Sequence, residues 1–209
     1  MSDETARTTR EALLRTAERL YAEQGITTVS NRTVAAEAGT ANNSAVGYHF
    51  GGKTDLVLAI VRHRNEQTEP HRVRMLERTA GSTDPQDHID SLNLPIVALL
   101  DELGAPTWYA RFTLQVMVDP PWRDLVAEEL SRSPHILEAS RRLMETTRHL
   151  DPSLVRKRAR LAGLTVAHVC ADHEADIHVR DRAPAWDGVG SFLSDALAGL
   201  ILAPVRRRA

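Results

Sequence analysis

Apolar residues recur along this chain at three- and four-residue intervals, the spacing that gathers them on one face of a helix. In residues 9–24 the recurring set is Leu13, Ala17, Leu20 and Tyr21, and Gly25 is placed to stop the helix. After the stretch ITTV, Ser30 serves as N-cap for a short helix that runs through Ala38 and ends at Gly39. Thr40 and Ala41 then make a tight connection to a second short helix over 42–49, with Asn42 as its cap. A much longer pattern opens at Lys53 or Thr54 and carries Leu56, Ile60 and Arg64 onward toward Glu77. Pro70 lies inside that pattern, which predicts a kink or break near Glu69.

Beyond the turn-rich GSTDP at 81–85, further helices are predicted over 86–103, 107–118, 121–131, 135–149, 153–174 and 187–202. Glycine and proline mark their boundaries: Gly104 and Pro106, Pro120 and Pro121, Pro134, Pro152 and Pro184. No run of alternating β-branched residues between hairpin turns interrupts them. The predicted fold is all-α: a three-helix unit over residues 1–53, then a larger helical domain over 54–209.

Composition agrees with that reading. Only 4% of the 209 residues are aromatic, while 42% are hydrophobic, enough for a core. A net charge of −2 gives no global attraction to nucleic acid or membrane, so any such binding must come from local placement. Cys170 is the only cysteine, which excludes an internal disulfide and fits a reducing cytoplasm. The first 20 residues lack the apolar core of a secretory signal. ALAGLILAPV at 196–205 is far short of the roughly 20 residues that cross a bilayer. The expectation is a cytoplasmic protein with no membrane partner.

One stretch supports two chemistries. GYHFGGKT, from Gly47 to Thr54, satisfies the phosphate-loop pattern G-x-x-x-x-G-K-S/T of nucleotide-binding enzymes. Such a loop needs a buried strand before it to aim its amides, and the preceding AEAGTANNSAV contains none. The alternative is a helix-turn-helix. Val34, Ala35 and Ala38 would meet Val46 and Phe50 inside, leaving Asn42, Asn43, Ser44, Gly47 and Tyr48 for an outer face. Asparagine can pair with adenine, serine gives or accepts a hydrogen bond, and glycine permits close approach to a groove. Ser30, Arg32, Thr33, Tyr48, Lys53, Arg7 and Arg10 are phosphate candidates, with His49 an orienting residue beside them. Phe50 reads as packing. In residues 1–53 six cations face six acids, so a shallow salt dependence is expected.

YAEQGITTVS, then VAAEAG, then YHFGGKTDLV stand in an order that resembles the DNA-binding domain of TetR-type (tetracycline-repressor-like) regulators. The resemblance covers residues 9–64. It implies that the segment 42–49 enters the major groove and that Tyr48 and Lys53 touch the DNA backbone. Between Gly39 and Tyr48 this chain has eight residues, one more than the usual family spacing.

The resemblance further implies a homodimer on a double-stranded DNA operator, released by a small-molecule effector whose identity the sequence does not give. No catalytic residue, cofactor or metal is implied. Candidate dimer contacts are Leu161, Leu164, His168, Phe192, Leu193, Leu197 and Leu200, with Gly163 and Gly199 allowing close approach. Candidate ligand contacts are Trp108, Phe112, Gln115, Val116 and Met144. A non-responsive architectural DNA-binding protein is a further alternative. His168, Cys170, Asp172, His173 and His178 lack paired metal-ligand spacing and read as surface or interface residues. Arg206–Arg208 read as a solvated terminus.

Overall fold

The computed structural model describes residues 3–40, 42, 44–180 and 182–205. These form helices α1 (Asp3–Gln24), α2 (Asn31–Glu37), α3 (Ala45–Phe50), α4 (Lys53–Arg78) and α5 (Pro85–Leu103). The order continues with α6 (Tyr109–Val118), α7 (Pro120–Leu130), α8 (Pro134–Thr146), α9 (Pro152–Arg180) and α10 (Trp186–Leu202). Among the described residues there is no strand, and the fold is all-α. Arg206–Arg208 and Asn43 lie outside the described residues.

Local chemistry explains most of the boundaries. Four helices begin on proline (Pro85, Pro120, Pro134 and Pro152), whose missing N–H costs nothing in a first turn. Three of these turns are capped from the residue before. Asp84 accepts from the Gln86 amide, Ser133 from Ile136, and Asp151 from Ser153 and Leu154. α9 extends six residues beyond its predicted end at 174, because no glycine or proline intervenes before Pro184. Pro70 was expected to kink or break the helix near Glu69, and α4 runs through it without a break. Both Pro70 and Glu66 are exposed, so the carbonyl deprived of its donor is open to water rather than buried.

The N-terminal unit closes around Leu13, Ala17, Leu20 and Tyr21 of α1, Val34 and Ala35 of α2, and Val46 of α3, all buried. α4 starts in this unit with Leu56, Val57 and Ile60 buried, then continues into the larger bundle. α6 packs on α9 and also reaches α1, so it joins the two parts from inside.

Polar contacts reinforce the junction. Arg64 of α4 donates twice to the buried Glu18 carboxylate of α1, each bond 2.7 Å, and sits 5.4 Å from the Tyr109 ring centre. At the same N-terminal end of α6, the buried Glu174 carboxylate of α9 accepts from the Ala110 and Arg111 amides at 3.1 Å. A carboxylate there meets the positive end of the helix dipole. Burial pushes the Glu174 pKa up, and those hydrogen bonds oppose the rise.

Candidate nucleic-acid interface and internal cavity

The α2–α3 turn is set by side chains that bond to their own backbone. Ser30 accepts from the Thr33 amide at 3.1 Å and caps α2. Thr40 donates to the Ala35 carbonyl at 2.9 Å, tying the turn to the helix it leaves. The Asn42 carboxamide accepts from the Ser44 amide at 2.8 Å. That local bond corrects the expected start of the second helix: α3 begins at Ala45, not at 42. Asparagine side chains readily close such a turn two residues on, which competes with capping a helix. Asn42 and Ser44 therefore lie on the loop leading into α3.

The short α3 buries Ala45 and Val46 and turns its other side outward. Tyr48 is 76% exposed, and Ser44 and Gly47 are exposed beside it. Arg32 and Thr33 of α2 are exposed in the same unit, as are Arg7 and Arg10 of α1. His49 is half-buried with its ring edge-on to Tyr48, at 5.0 Å between centroids. The Arg10 guanidinium lies 5.1 Å from the centre of the Phe50 ring, which holds it beside the end of α3. Gly51 turns the chain at φ 97°, and a side chain there would also meet Asp55.

Lys53 has partners inside the fold. Its ammonium donates to the carbonyls of Ile26 at 3.0 Å and Thr27 at 3.3 Å, so it ties the α1–α2 connection to α4. Two of its three hydrogens are thereby engaged inside the fold. The phosphate-loop alternative fails on the same geometry. Gly47 through Phe50 are helical, the Tyr48 and Gly51 amides bond to the carbonyls of Ser44 and Gly47, and among the described residues no strand precedes them. Amides engaged in a helix cannot cradle a phosphate.

A short exposed helix carrying polar groups, held on a turn against a second helix, is the geometry of a helix-turn-helix. The family model "Bacterial regulatory proteins, tetR family" matches residues 13–60, which cover this unit. The N-terminal domain belongs to the TetR family. No curated protein matches the sequence. Solved structures share the fold over more than nine-tenths of the chain. The fatty acid degradation regulator FadR from Bacillus halodurans aligns at 16% identity over 94% of this chain and 99% of its own, with a TM-score of 0.58. A TetR-family regulator from a Rhodococcus species aligns at 14% identity over 92% and 98%, with a TM-score of 0.52. SmeT, the repressor of the Stenotrophomonas maltophilia multidrug efflux pump SmeDEF, gives 19%, 91% and 88%, and 0.50.

The helical body holds a cavity of about 260 Å³ lined from α4, α5, α6, α7, α8 and α9. Phe112 and Val116, four residues apart on α6, both line it. Trp108, Gln115 and Met144 do not. Trp108 precedes the first turn of α6, so it is off the helical face, and its ring sits 5.4 Å from that of His178. Gln115 is about a quarter-turn from Val116 and approaches Gly25 just past the end of α1. Met144 lies on α8, outside the lining. Sequence reasoning missed Asn65, Thr68 and Arg72 of α4. With Val61 they recur at helical spacing, and that polar stripe inside a core-facing helix was the available signal.

On the outer side of α9 and α10, Leu161 is 50% and Phe192 59% exposed. His168 is exposed, and Leu164 and Leu200 are half-buried. Leu193 and Leu197, expected at a subunit interface, are fully buried where α10 packs on α5 and α9. α10 carries two apolar stripes, and these two leucines belong to the inward one with Trp186 and Ile201. Gly163 also turns inward, with Met117 3.6 Å from where its Cβ would be, whereas Gly199 is open.

Among the described residues no histidine, cysteine and carboxylate side chains converge on a metal site. Cys170 is buried, and His178 bonds the Thr107 carbonyl at 2.8 Å. Among the described residues no helix is long and apolar enough to cross a membrane.

Proposed function

We propose that this protein is a homodimeric transcriptional repressor that holds a palindromic operator and releases it when a small molecule fills the cavity behind Phe112. The observation that carries the reading is the outward face of α2 and α3. Tyr48, Gly47, Ser44, Thr33 and Arg32 are exposed on elements whose opposite sides are buried. Tyr48 and Arg32 contact phosphates and fix the register, and Ser44 and Gly47 approach base edges in the major groove. Dimerisation through exposed Leu161 and Phe192, with half-buried Leu200 beside them, would put two reading heads on half-sites about 34–36 Å apart.

Release is a population shift. α6 lines the cavity with Phe112 and Val116 and also packs on α1, while α4 runs from the reading head into the body. A ligand that fits the cavity best when α6 is displaced favours heads misplaced for the palindrome. A coupling of about 1–3 kcal/mol is sufficient. The test is binding of duplex DNA by Tyr48→Ala and Arg32→Ala, with helical content followed by circular dichroism. Both variants should stay folded and lose affinity about equally across sequences. Unchanged affinity in both would contradict the assigned face.

A further inference from the structure

The cavity carries one polar group that its own walls leave unused. Arg72 of α4 lines the cavity and is 6% exposed, yet its Nε–H is buried without an acceptor. Among the lining side chains no other buried polar atom is in this position. Thr68 and Thr113 donate their hydroxyls to the Arg64 and Tyr109 carbonyls, and Asn93 donates to the Ile89 carbonyl. The guanidinium is partnered elsewhere: Nη1 donates to Glu69 and, at 3.4 Å, to Asn65. Glu69 in turn is shared with His135 and Ser133. The Nε edge faces away from Nη1 and has no anion of its own. A buried donor on a permanent cation, left open, is costly unless something fills it.

Size and surroundings limit what can fill it. A 150 Å³ cavity holds benzene, so about 260 Å³ holds a molecule of about ten heavy atoms. The remaining walls are mostly apolar, with Val61, Ile96, Phe112 and Val116 among them. We propose that the cavity selects a compact apolar monocarboxylate, its carboxylate on the Nε edge of Arg72 and its hydrocarbon against these four side chains. A carboxylate is the acceptor that matches a guanidinium edge with parallel, charge-assisted hydrogen bonds. This inference rests on the reading of the cavity as the effector site.

The experiment is calorimetric titration of the full chain with phenylpropanoate and octanoate, with phenylpropanol as the neutral control. Both acids should bind, one per subunit, with phenylpropanoate about tenfold or more tighter than the alcohol. Arg72→Gln should remove that preference while leaving the weak alcohol binding in place. Arg72→Lys keeps the charge and loses the Nε edge, and should show the same loss if the first variant does not fold. Glu69→Gln removes the competing anion and should strengthen carboxylate binding severalfold. Equal affinity for acid and alcohol, no binding of either acid, or carboxylate binding indifferent to Arg72 would each overturn the proposal. Operator binding is measured in parallel. Carboxylate binding that leaves the operator bound would support the ligand class while overturning the effector reading.

Discussion

Tyr21 of α1 stacks on Phe112 of α6, with ring centroids 6.3 Å apart and planes at 27°. Tyr21 belongs to the core of the reading head, and Phe112 lines the cavity, so one contact spans the distance between them. Phe112→Ala should destabilise the protein by about 3–5 kcal/mol in urea unfolding, from lost burial and the void left behind. Phe112→Leu is gentler on the fold. It should leave operator affinity near that of the parent while shrinking the effector's influence on it, read by anisotropy of a labelled duplex.

The Tyr21 hydroxyl is buried without a partner, and burial pushes its pKa up. Removing an unsatisfied buried hydroxyl while keeping the ring relieves its desolvation cost, so Tyr21→Phe should raise stability by about 1 kcal/mol. Burial likewise pushes Tyr109 and Cys170 up to about 12. For all three groups the folded state holds the proton more tightly than the unfolded state. Their contribution is therefore complete at neutral pH and declines above about 9, as the unfolded thiol and phenols ionise first. Urea midpoints should be flat from pH 7 to 8 and fall steadily between pH 9 and 12. Cys170 should resist alkylation at pH 8 until the chain unfolds.

Much of this was legible in the residues because the helix ends are written in them. Pro85, Pro120, Pro134 and Pro152 open helices, Ser30 caps α2, and Gly25 and Gly39 close their turns with positive φ. The start of α3 was not legible, because Asn42 had two local options and only the folded turn selects the bond to Ser44. Side-chain direction was harder still. Leu193 and Phe192 are adjacent apolar residues, yet one is buried and the other 59% exposed. An apolar stripe does not say whether its partner is the same chain or another. Lys53 shows the same ambiguity for charge, since nothing in its neighbourhood foretells the carbonyls of Ile26 and Thr27.

The ion pair between Glu18 and Arg64 holds the head against the body from within. Arg64→Leu leaves the Glu18 carboxylate buried and unpaired, and should cost about 3–5 kcal/mol. A double replacement with Glu18→Leu should recover a large part of that loss. Urea unfolding of the two singles and the double measures the non-additivity.

On the outer side of α9 and α10, Leu161→Glu with Phe192→Glu should yield a folded monomer by sedimentation velocity, with native helical content. Leu193→Ala and Leu197→Ala should instead lose about 2–5 kcal/mol of stability each, since both side chains are fully buried in the subunit. The two pairs of variants separate an interface stripe from a core stripe on one helix.

Selection of bound duplexes from a random pool, at a fixed and stated salt concentration, tests the central claim most directly. The account predicts a palindromic winner whose half-sites lie one helical turn or a multiple apart, with enrichment lost in Tyr48→Ala. Enrichment of no sequence by the folded dimer would contradict it.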